Sequence, residues 1–183
     1  ENPLWGKDTP AQVVTLTVEG ARAPHVAPVQ VVTDAEGRWK LLCPELPVGG
    51  PYRLHVVGST EKVIDDVLVG DVWVASGQSN MEFPLSRAKD ADREIQSAND
   101  GRIRFIKVPQ TTGMSPVDSV SASWETCVPE HAGKFSAVAY FFAREVSEKT
   151  GIPIGVIDTT WGGTPIEAWI SREGLRPSMP DVD

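Results

Sequence analysis

Residues 76–81 read Ser-Gly-Gln-Ser-Asn-Met and directly follow an apolar run, which marks them as the segment most suited to chemistry. An exposed serine hydroxyl near a general base and N–H donors can attack an acyl carbon. Gly77 permits a tight turn that a Cβ would hinder, and a helix beginning just beyond would aim unpaired N–H groups at Ser79. The second glycine of the nucleophile elbow is absent. The segment therefore indicates either an acyl-transfer nucleophile or a polar turn in which Ser79 caps a helix.

A glycine-containing loop, Thr-Thr-Trp-Gly-Gly-Thr at residues 159–164, follows a second apolar run. The adjacent Gly162 and Gly163 let backbone approach a ligand and can present free N–H groups. The alternative is a strand-to-helix loop that serves packing only. Because ligands of open α/β sheets bind outside the carboxyl ends of the strands, we expect both segments at one edge of one sheet.

The first 66 residues predict a small β-sandwich. Alternating or β-branched runs are separated by turn signals, and they cover residues 13–18, 29–33, 38–42 and 52–57. Short strands at this spacing favour antiparallel sheets packed face to face. The set is small and begins abruptly, so one or more strands are expected before Glu1.

From residue 67 onward the pattern predicts a parallel α/β sheet, with a domain boundary between residues 60 and 70. The run 67–75 is almost continuously apolar, as expected for a strand buried on both faces. Caps and periodicity predict a helix over 136–149 that begins at Ser136. Further elements are predicted as helices over 86–98 and from Pro165, and as strands over 103–108 and 154–158. Three strands are too few for a covered open sheet, so this domain is expected to be incomplete.

Composition and charge argue against several classes of function. The chain has 183 residues and a formal net charge of −8, which disfavours nucleic acid and anionic membranes as partners. No apolar run is long enough to span a bilayer. No signal peptide is visible, as in a mature exported protein or a cytoplasmic one, and we predict a secreted or periplasmic location.

Metal and cofactor sites are not expected. No phosphate loop or dinucleotide motif occurs, and the acidic residues at 65–66, 71, 90 and 92 lack the periodicity of a calcium loop. Cys43 and Cys127 give neither a disulfide framework nor zinc-site spacing, and we interpret them as two separate small apolar residues.

The two glycine-containing segments together resemble a known family. Residues 67–85, 135–142 and 154–169 are similar to the sialate O-acetylesterases of the SGNH (GDSL-like) hydrolase superfamily, which also holds acetylxylan esterases. Residues 4–6 and 34–39 resemble the sandwich that precedes the catalytic domain in bacterial members. The resemblance implies a jelly-roll-like sandwich over 1–66, followed over 67–183 by the N-terminal part of a flavodoxin-like SGNH hydrolase sheet.

The resemblance also implies roles for single residues. Ser79 matches the nucleophile, its N–H is one oxyanion donor, and the second donor is Gly162 or Gly163, a choice that stays open. Trp161 is the tryptophan expected to wall the pocket, while most others are expected in the core. A structural hydrogen bond to nearby backbone is the favoured role for Asn80. Residues that orient Ser79 or contact substrate are expected among Gln78, Asn80, Trp161 and Thr164.

The catalytic histidine of that family has no counterpart here. It follows a Gln-Gly-Glu segment in an Asp-x-x-His or Asp-x-His setting, which His25, His55 and His131 lack. General-base assistance is worth about 10²–10⁴-fold, so the chain by itself is expected to be nearly inactive. A second polypeptide or a missing C-terminal segment is expected to supply the histidine.

The implied function is therefore hydrolysis of acetyl esters on sugars through a serine nucleophile and an acetyl-enzyme, with no cofactor. The implied substrate is an O-acetylated sugar, first of all a sialate. The alternatives are an acetylxylan esterase, or a non-catalytic carbohydrate-binding or structural protein with a vestigial esterase part.

Overall fold

The computed structural model describes residues 2–21, 23, 27–113, 115, 117 and 119–178. The chain divides after Gly70 into two compact units, each with its own sheets and core. The division falls just beyond the 66/67 boundary predicted from the sequence, because the last strand of the first unit continues to Val69. None of the described helices is long and apolar enough to cross a membrane.

The first unit is built from antiparallel strands. Strands β3, β2, β5 and β6 form one sheet in that order, and β1 pairs with β4 in a second. Leu16 and Leu54 from the larger sheet pack with Leu41 from the smaller one, so both sheets share a core. The strands are β1 (Asn2–Lys7), β2 (Val13–Glu19), β3 (Val29–Val32), β4 (Arg38–Cys43), β5 (Gly49–Val57) and β6 (Glu61–Val69).

The second unit is a mixed sheet with helices. Its strand order is β7-β10-β8-β9, where β10 runs parallel to β7 and β8 while β9 is antiparallel, so the predicted parallel pairing is confirmed. The strands are β7 (Asp71–Ala75), β8 (Asp100–Lys107), β9 (Glu125–Cys127) and β10 (Ile154–Asp158). The α-helices are α1 (Ser79–Glu82), α2 (Ala91–Ser97), α3 (Pro129–Ala132), α4 (Ala137–Thr150) and α5 (Arg172–Leu175). Two 3₁₀ helices cover Leu85–Arg87 and Ile166–Trp169.

The apolar run 67–75 is not one buried strand, and that prediction is wrong. The chain changes sheets at Gly70, so the run contains the end of β6 and all of β7. Strand β7 lies at an edge of its sheet, where Val72 and Val74 are 61% and 65% exposed. The apolar run 67–75 therefore belongs to two successive strands that are both partly exposed.

Helix α4 follows its prediction closely. The Ser136 hydroxyl caps it by accepting from the Ala139 N–H at 3.2 Å, and the helix ends at Gly151 with φ of 72°. Its buried face, which includes Tyr140 and Ala143, packs on the core side chains of β8 and β10. The predicted helix over 86–98 is shorter, since only residues 91–97 form α2. Helix α4 thus covers one face of the parallel strands. The carboxyl ends of these strands lie side by side at one edge of the sheet.

Candidate active site

The loops after β7 and β10 run side by side, as expected from the sequence. The Thr159 N–H donates to the Ala75 carbonyl and the Trp161 N–H to the Gly77 carbonyl, each at 2.9 Å. A Cβ on Gly162 would lie 3.6 Å from the Cα of Ser79. The parallel register thus brings the serine segment and the glycine loop into contact.

Ser79 is an exposed side chain on a tight turn. Gly77 has φ of 137°, a conformation that favours glycine, and the single-turn helix α1 begins at Ser79. Gln78, rather than Ser79, caps this helix: its Oε1 accepts from the Ser79 hydroxyl at 2.7 Å and from the Ser79 N–H at 3.3 Å. The Ser79 hydroxyl is therefore not used as a cap, and among the described residues it donates to Gln78.

No described histidine contacts Ser79. The Nδ1 of His131 lies 3.2 Å from the Thr126 carbonyl, and the Nε2 of His55, in the first unit, lies 2.7 Å from Glu61. His25 lies outside the described residues. The Ser79 hydroxyl thus has a hydrogen-bond partner in Gln78 but no imidazole base among the described residues.

The two glycines of the loop differ in their environment. The Gly162 N–H donates to Glu82 Oε2 at 2.6 Å, and Glu82 Oε1 accepts from Gln110 Nε2 at 2.5 Å. Gly163 has φ of 78°, open space where a Cβ would stand, and an N–H without an acceptor among the described residues. Of the two candidate oxyanion donors, only Gly163 presents a free N–H in this conformation.

Glu82 and Gln110 were not predicted as site residues from the sequence. Glu82 lies three positions after Ser79 in one helical turn, and residues at that spacing share a helix face, which could have identified it. Gln110 follows β8 in an irregular loop and carries no comparable signal. Together they connect α1, the glycine loop and the loop after β8.

A network of a buried carboxylate, a buried threonine and a half-exposed lysine supports the glycine loop and was not predicted from the sequence. Asp158 and Thr160 are 4% and 0% exposed. Asp158 Oδ1 accepts from the Thr160 N–H at 3.0 Å, from the Thr160 hydroxyl at 2.7 Å and from Lys107 Nζ at 3.0 Å. Lys107 Nζ also donates to Thr160 Oγ1 at 2.6 Å. These contacts fix the backbone from which Trp161 and Gly162 extend.

Two pockets open on either side of this loop and share Thr164 and Trp169. One, of about 410 Å³, borders residues 76–78, and the other, of about 430 Å³, borders residues 108–112 and 159–161. Trp169 Nε1 donates to Thr164 Oγ1 at 2.9 Å, and that hydroxyl donates to the Trp161 carbonyl at 2.7 Å. Trp161 lines the second pocket but not the one that borders residues 76–78, and its role as a wall of the substrate pocket stays a prediction, whereas Trp169 lines both pockets and was not singled out from the sequence.

Asn80 and two of the tryptophans have environments that differ from those predicted. Asn80 is exposed, and its side chain makes no hydrogen bond within the described part of the chain, so the structural bond favoured for it is not found. Trp73 and Trp124 are 47% and 48% exposed rather than buried in a core, because β7 lies at the sheet edge and residue 124 precedes β9 in a loop.

Neither a metal centre nor a disulfide occurs among the described residues. No group of three or more His, Cys, Asp or Glu suited to a metal ion occurs among the described residues. Cys43 and Cys127 are free thiols, and burial raises the pKa of both above that of an exposed cysteine.

Known proteins with similar sequences or structures include several acetylesterases. No protein-family model matches the chain. It is 32% identical to the sialate O-acetylesterase of Pongo abelii and 31% identical to that of Homo sapiens, over 94% of this chain and 36% of each relative. The crystal structure of a carbohydrate acetylesterase from Xanthomonas citri matches with a TM-score of 0.86 and 40% identity, over 98% of this chain and 40% of that one. The predicted resemblance is therefore confirmed: the chain is homologous to sialate O-acetylesterases over nearly its whole length, and it spans little more than a third of theirs.

Proposed function

We propose that this chain is the part of a carbohydrate O-acetylesterase that carries the serine nucleophile, Ser79. The observation that supports this most is the contact between the exposed Ser79 turn and the glycine loop at the carboxyl ends of two parallel strands. The names of the homologues, sialate O-acetylesterase and carbohydrate acetylesterase, favour acetyl esters of sugars as the substrate class. Location outside the cytoplasm stays a prediction.

The proposed reaction is a two-step acyl transfer. The Ser79 hydroxyl turns from Gln78 towards a histidine that lies outside the residues described here, and attacks the acetyl carbonyl carbon. The histidine takes the hydroxyl proton and returns it to the sugar oxygen as the carbon–oxygen bond breaks. Water, deprotonated by the same histidine, then attacks the acetyl carbon, and the bond to the Ser79 oxygen breaks as the histidine returns the proton to that oxygen. Acetate leaves and the Ser79 hydroxyl is regenerated, with no metal or organic cofactor in the proposed reaction.

The Ser79 and Gly163 N–H groups are the oxyanion donors in this proposal; the Ser79 N–H donates at 3.3 Å to the amide oxygen of Gln78, a long bond to an uncharged acceptor that an oxyanion can replace. An oxyanion at the Gly162 N–H would have to replace the Glu82 carboxylate, 2.6 Å from that nitrogen, and the two negative charges would repel each other. Gly163 has no such competitor among the described residues, and the positive φ it adopts is available to glycine. Gly162 and Glu82 then have a positioning role, because their bond holds the loop against α1.

A pair of Glu82 substitutions tests this division of roles. Glu82→Ala removes the acceptor of the Gly162 N–H, and we expect kcat for acetyl-ester hydrolysis to fall about tenfold or more. Glu82→Gln keeps an acceptor oxygen, so its kcat is expected to stay within about threefold. Steady-state kinetics on the full-length protein measure both. A rise in kcat with Glu82→Ala would contradict the proposal and assign the oxyanion to Gly162.

The nucleophile itself is tested by covalent labelling. A fluorophosphonate reacts with an activated serine, so we expect one adduct on the full-length protein, located by peptide mass spectrometry at Ser79. Denatured protein treated in the same way serves as the control and should stay unlabelled, because an isolated serine hydroxyl is a weak nucleophile.

The same experiment distinguishes the alternatives. An adduct at another serine would move the nucleophile and contradict the assignment. Complete absence of labelling, together with sugar binding by residues 1–66, would favour the non-catalytic carbohydrate-binding protein. Labelling at Ser79 is expected for a sialate esterase and for an acetylxylan esterase alike, so these two alternatives are distinguished by comparing their substrates.

A further inference from the structure

The pocket between the loop after β8 and the glycine loop is distinct from the turn that carries Ser79. It has a volume of about 430 Å³, within the range of small-molecule sites. We propose that it is a subsite for a neutral pyranose, so that the acetylated substrate is an uncharged glycan rather than a sialate. This inference rests on the proposed esterase function, because it names the substrate of that site.

The chemistry of the pocket wall fits an uncharged sugar. Pyranoses combine apolar C–H faces with hydroxyl groups, and aromatic rings together with uncharged hydrogen-bonding groups match both. The Trp169 ring is held in place by its Nε1 bond to Thr164, so its orientation is fixed before a ligand binds. None of the described lining residues is charged, and they include Val108, Gln110, Thr111, Thr112, Trp161 and Trp169.

The charges behind the pocket disfavour a sugar carboxylate. Gln110, on the wall, is bonded to the Glu82 carboxylate at 2.5 Å. Lys107 is the cation bonded to Thr160, which also accepts from Gln110, and it is paired with the buried Asp158 at 3.0 Å. Glu82, Lys107 and Asp158 carry a formal charge of −1 together, and the half-exposed Lys107 is already paired with Asp158, so these three groups give a sugar carboxylate net repulsion.

Trp169 provides continuity between the two pockets. It lines both the cavity beside residues 76–78 and the one beside residues 108–112. A glycan that stacks on the indole can therefore extend from the subsite towards Ser79. This arrangement makes Trp169 a binding residue for the sugar, separate from the groups that act on the ester.

Substrate selectivity is the first test. The full-length protein is assayed with acetylated methyl xyloside, glucoside and galactoside, with 9-O-acetyl-N-acetylneuraminic acid, and with p-nitrophenyl acetate. We expect at least one neutral sugar ester to have a kcat/KM about tenfold or more above that of the sialate. A sialate preference, or equal kcat/KM values, would overturn the proposal.

Substitutions in the pocket provide the second test. With the best neutral ester, Trp169→Ala is expected to raise KM about tenfold while kcat changes less than threefold, and Trp169→Phe to restore most of the loss. Trp5→Ala, on a 70% exposed tryptophan of the first unit, is the matched control and should leave KM unchanged. Thr112→Arg should shift selectivity towards the sialate, and Thr112→Glu away from it.

A binding measurement separates this inference from the proposed function. Calorimetry with the deacetylated neutral glycoside is expected to show about tenfold weaker binding to the Trp169→Ala variant, whether or not the ester is hydrolysed. If Ser79-dependent hydrolysis of p-nitrophenyl acetate is absent but this binding difference is present, only the esterase proposal fails. If hydrolysis is present and Trp169→Ala changes neither KM nor binding, only the subsite proposal fails.

Discussion

Replacing Ser79 with alanine in the full-length protein is expected to lower kcat for acetyl-ester hydrolysis by about 10⁴-fold or more. The substitution removes the oxygen that would attack the acetyl carbon, and neither Gln78 nor Asn80 can replace it as a nucleophile. The fold should tolerate the change, because Ser79 is exposed and its hydroxyl bonds only Gln78 among the described residues. We expect the free energy of unfolding to change by less than about 0.5 kcal/mol.

Initial rates with p-nitrophenyl acetate and urea denaturation measure the two expected effects of this change. Ser86→Ala is a suitable control, since Ser86 is an exposed serine of the same unit and its side chain makes no hydrogen bond within the described residues. Its kcat should match that of the unchanged protein. Residual activity within tenfold in Ser79→Ala would assign the chemistry to another residue.

The parts of the fold that were predictable depend on local signals. Helix α4 carries its own cap at Ser136, its own stop at Gly151 and a periodic buried face, so neighbouring residues determine both ends. Strand β10 is a short apolar run between two breaks. Strand β1, in contrast, contains Pro3 and Gly6 and forms by pairing with β4, a partner more than thirty positions away that its own residues do not indicate.

The division of residues 67–75 shows the same limit. An apolar run indicates strand propensity, but it does not say which sheet the strand joins or how many faces are covered. Here β6 continues an antiparallel sheet, whereas β7 joins a mixed sheet in which it pairs in parallel with β10. The domain boundary therefore falls inside this apolar run, at Gly70, and not at its start.

The candidate site was predictable in outline because of one topological rule. Parallel strands end at the same edge, so two loops that follow apolar runs were expected to meet, and Ser79 and Gly162 do lie together. The groups that hold these loops were not predictable. Glu82 meets Gly162 across 80 positions of sequence, and Lys107 meets Asp158 across 51, so their pairing depends on the tertiary fold. The catalytic roles assigned to Ser79 and the glycines remain predictions.

Replacing Asp158 with alanine is expected to lower the free energy of unfolding of the second unit by about 2–3 kcal/mol, mainly because two buried groups of Thr160 lose their acceptor. The carboxylate is 4% exposed and accepts three hydrogen bonds, two from Thr160 and one from Lys107. Its removal leaves the buried Thr160 N–H and hydroxyl without this acceptor, and each unsatisfied buried group is costly, whereas the Lys107 side chain is 46% exposed and its ammonium group can be hydrated. Asp158→Asn keeps the shape but not the charge, so a smaller loss of about 1–2 kcal/mol is expected.

Urea denaturation, with the unfolding midpoint and slope both fitted, measures this loss of stability. Glu145→Ala is the matched control: it also removes a carboxylate paired with a lysine, but both partners are exposed, and a loss below about 0.5 kcal/mol is expected. The double variant Lys107→Met with Asp158→Asn should be more stable than Asp158→Asn alone, because it removes both charges together and leaves no lysine without its counter-ion. An unchanged midpoint in Asp158→Ala would mean that this network does not stabilise the glycine loop. Because Thr160 anchors the backbone leading to Gly163, a folded Asp158→Asn protein should also lose about tenfold in kcat, linking the stability of this loop to the oxyanion site.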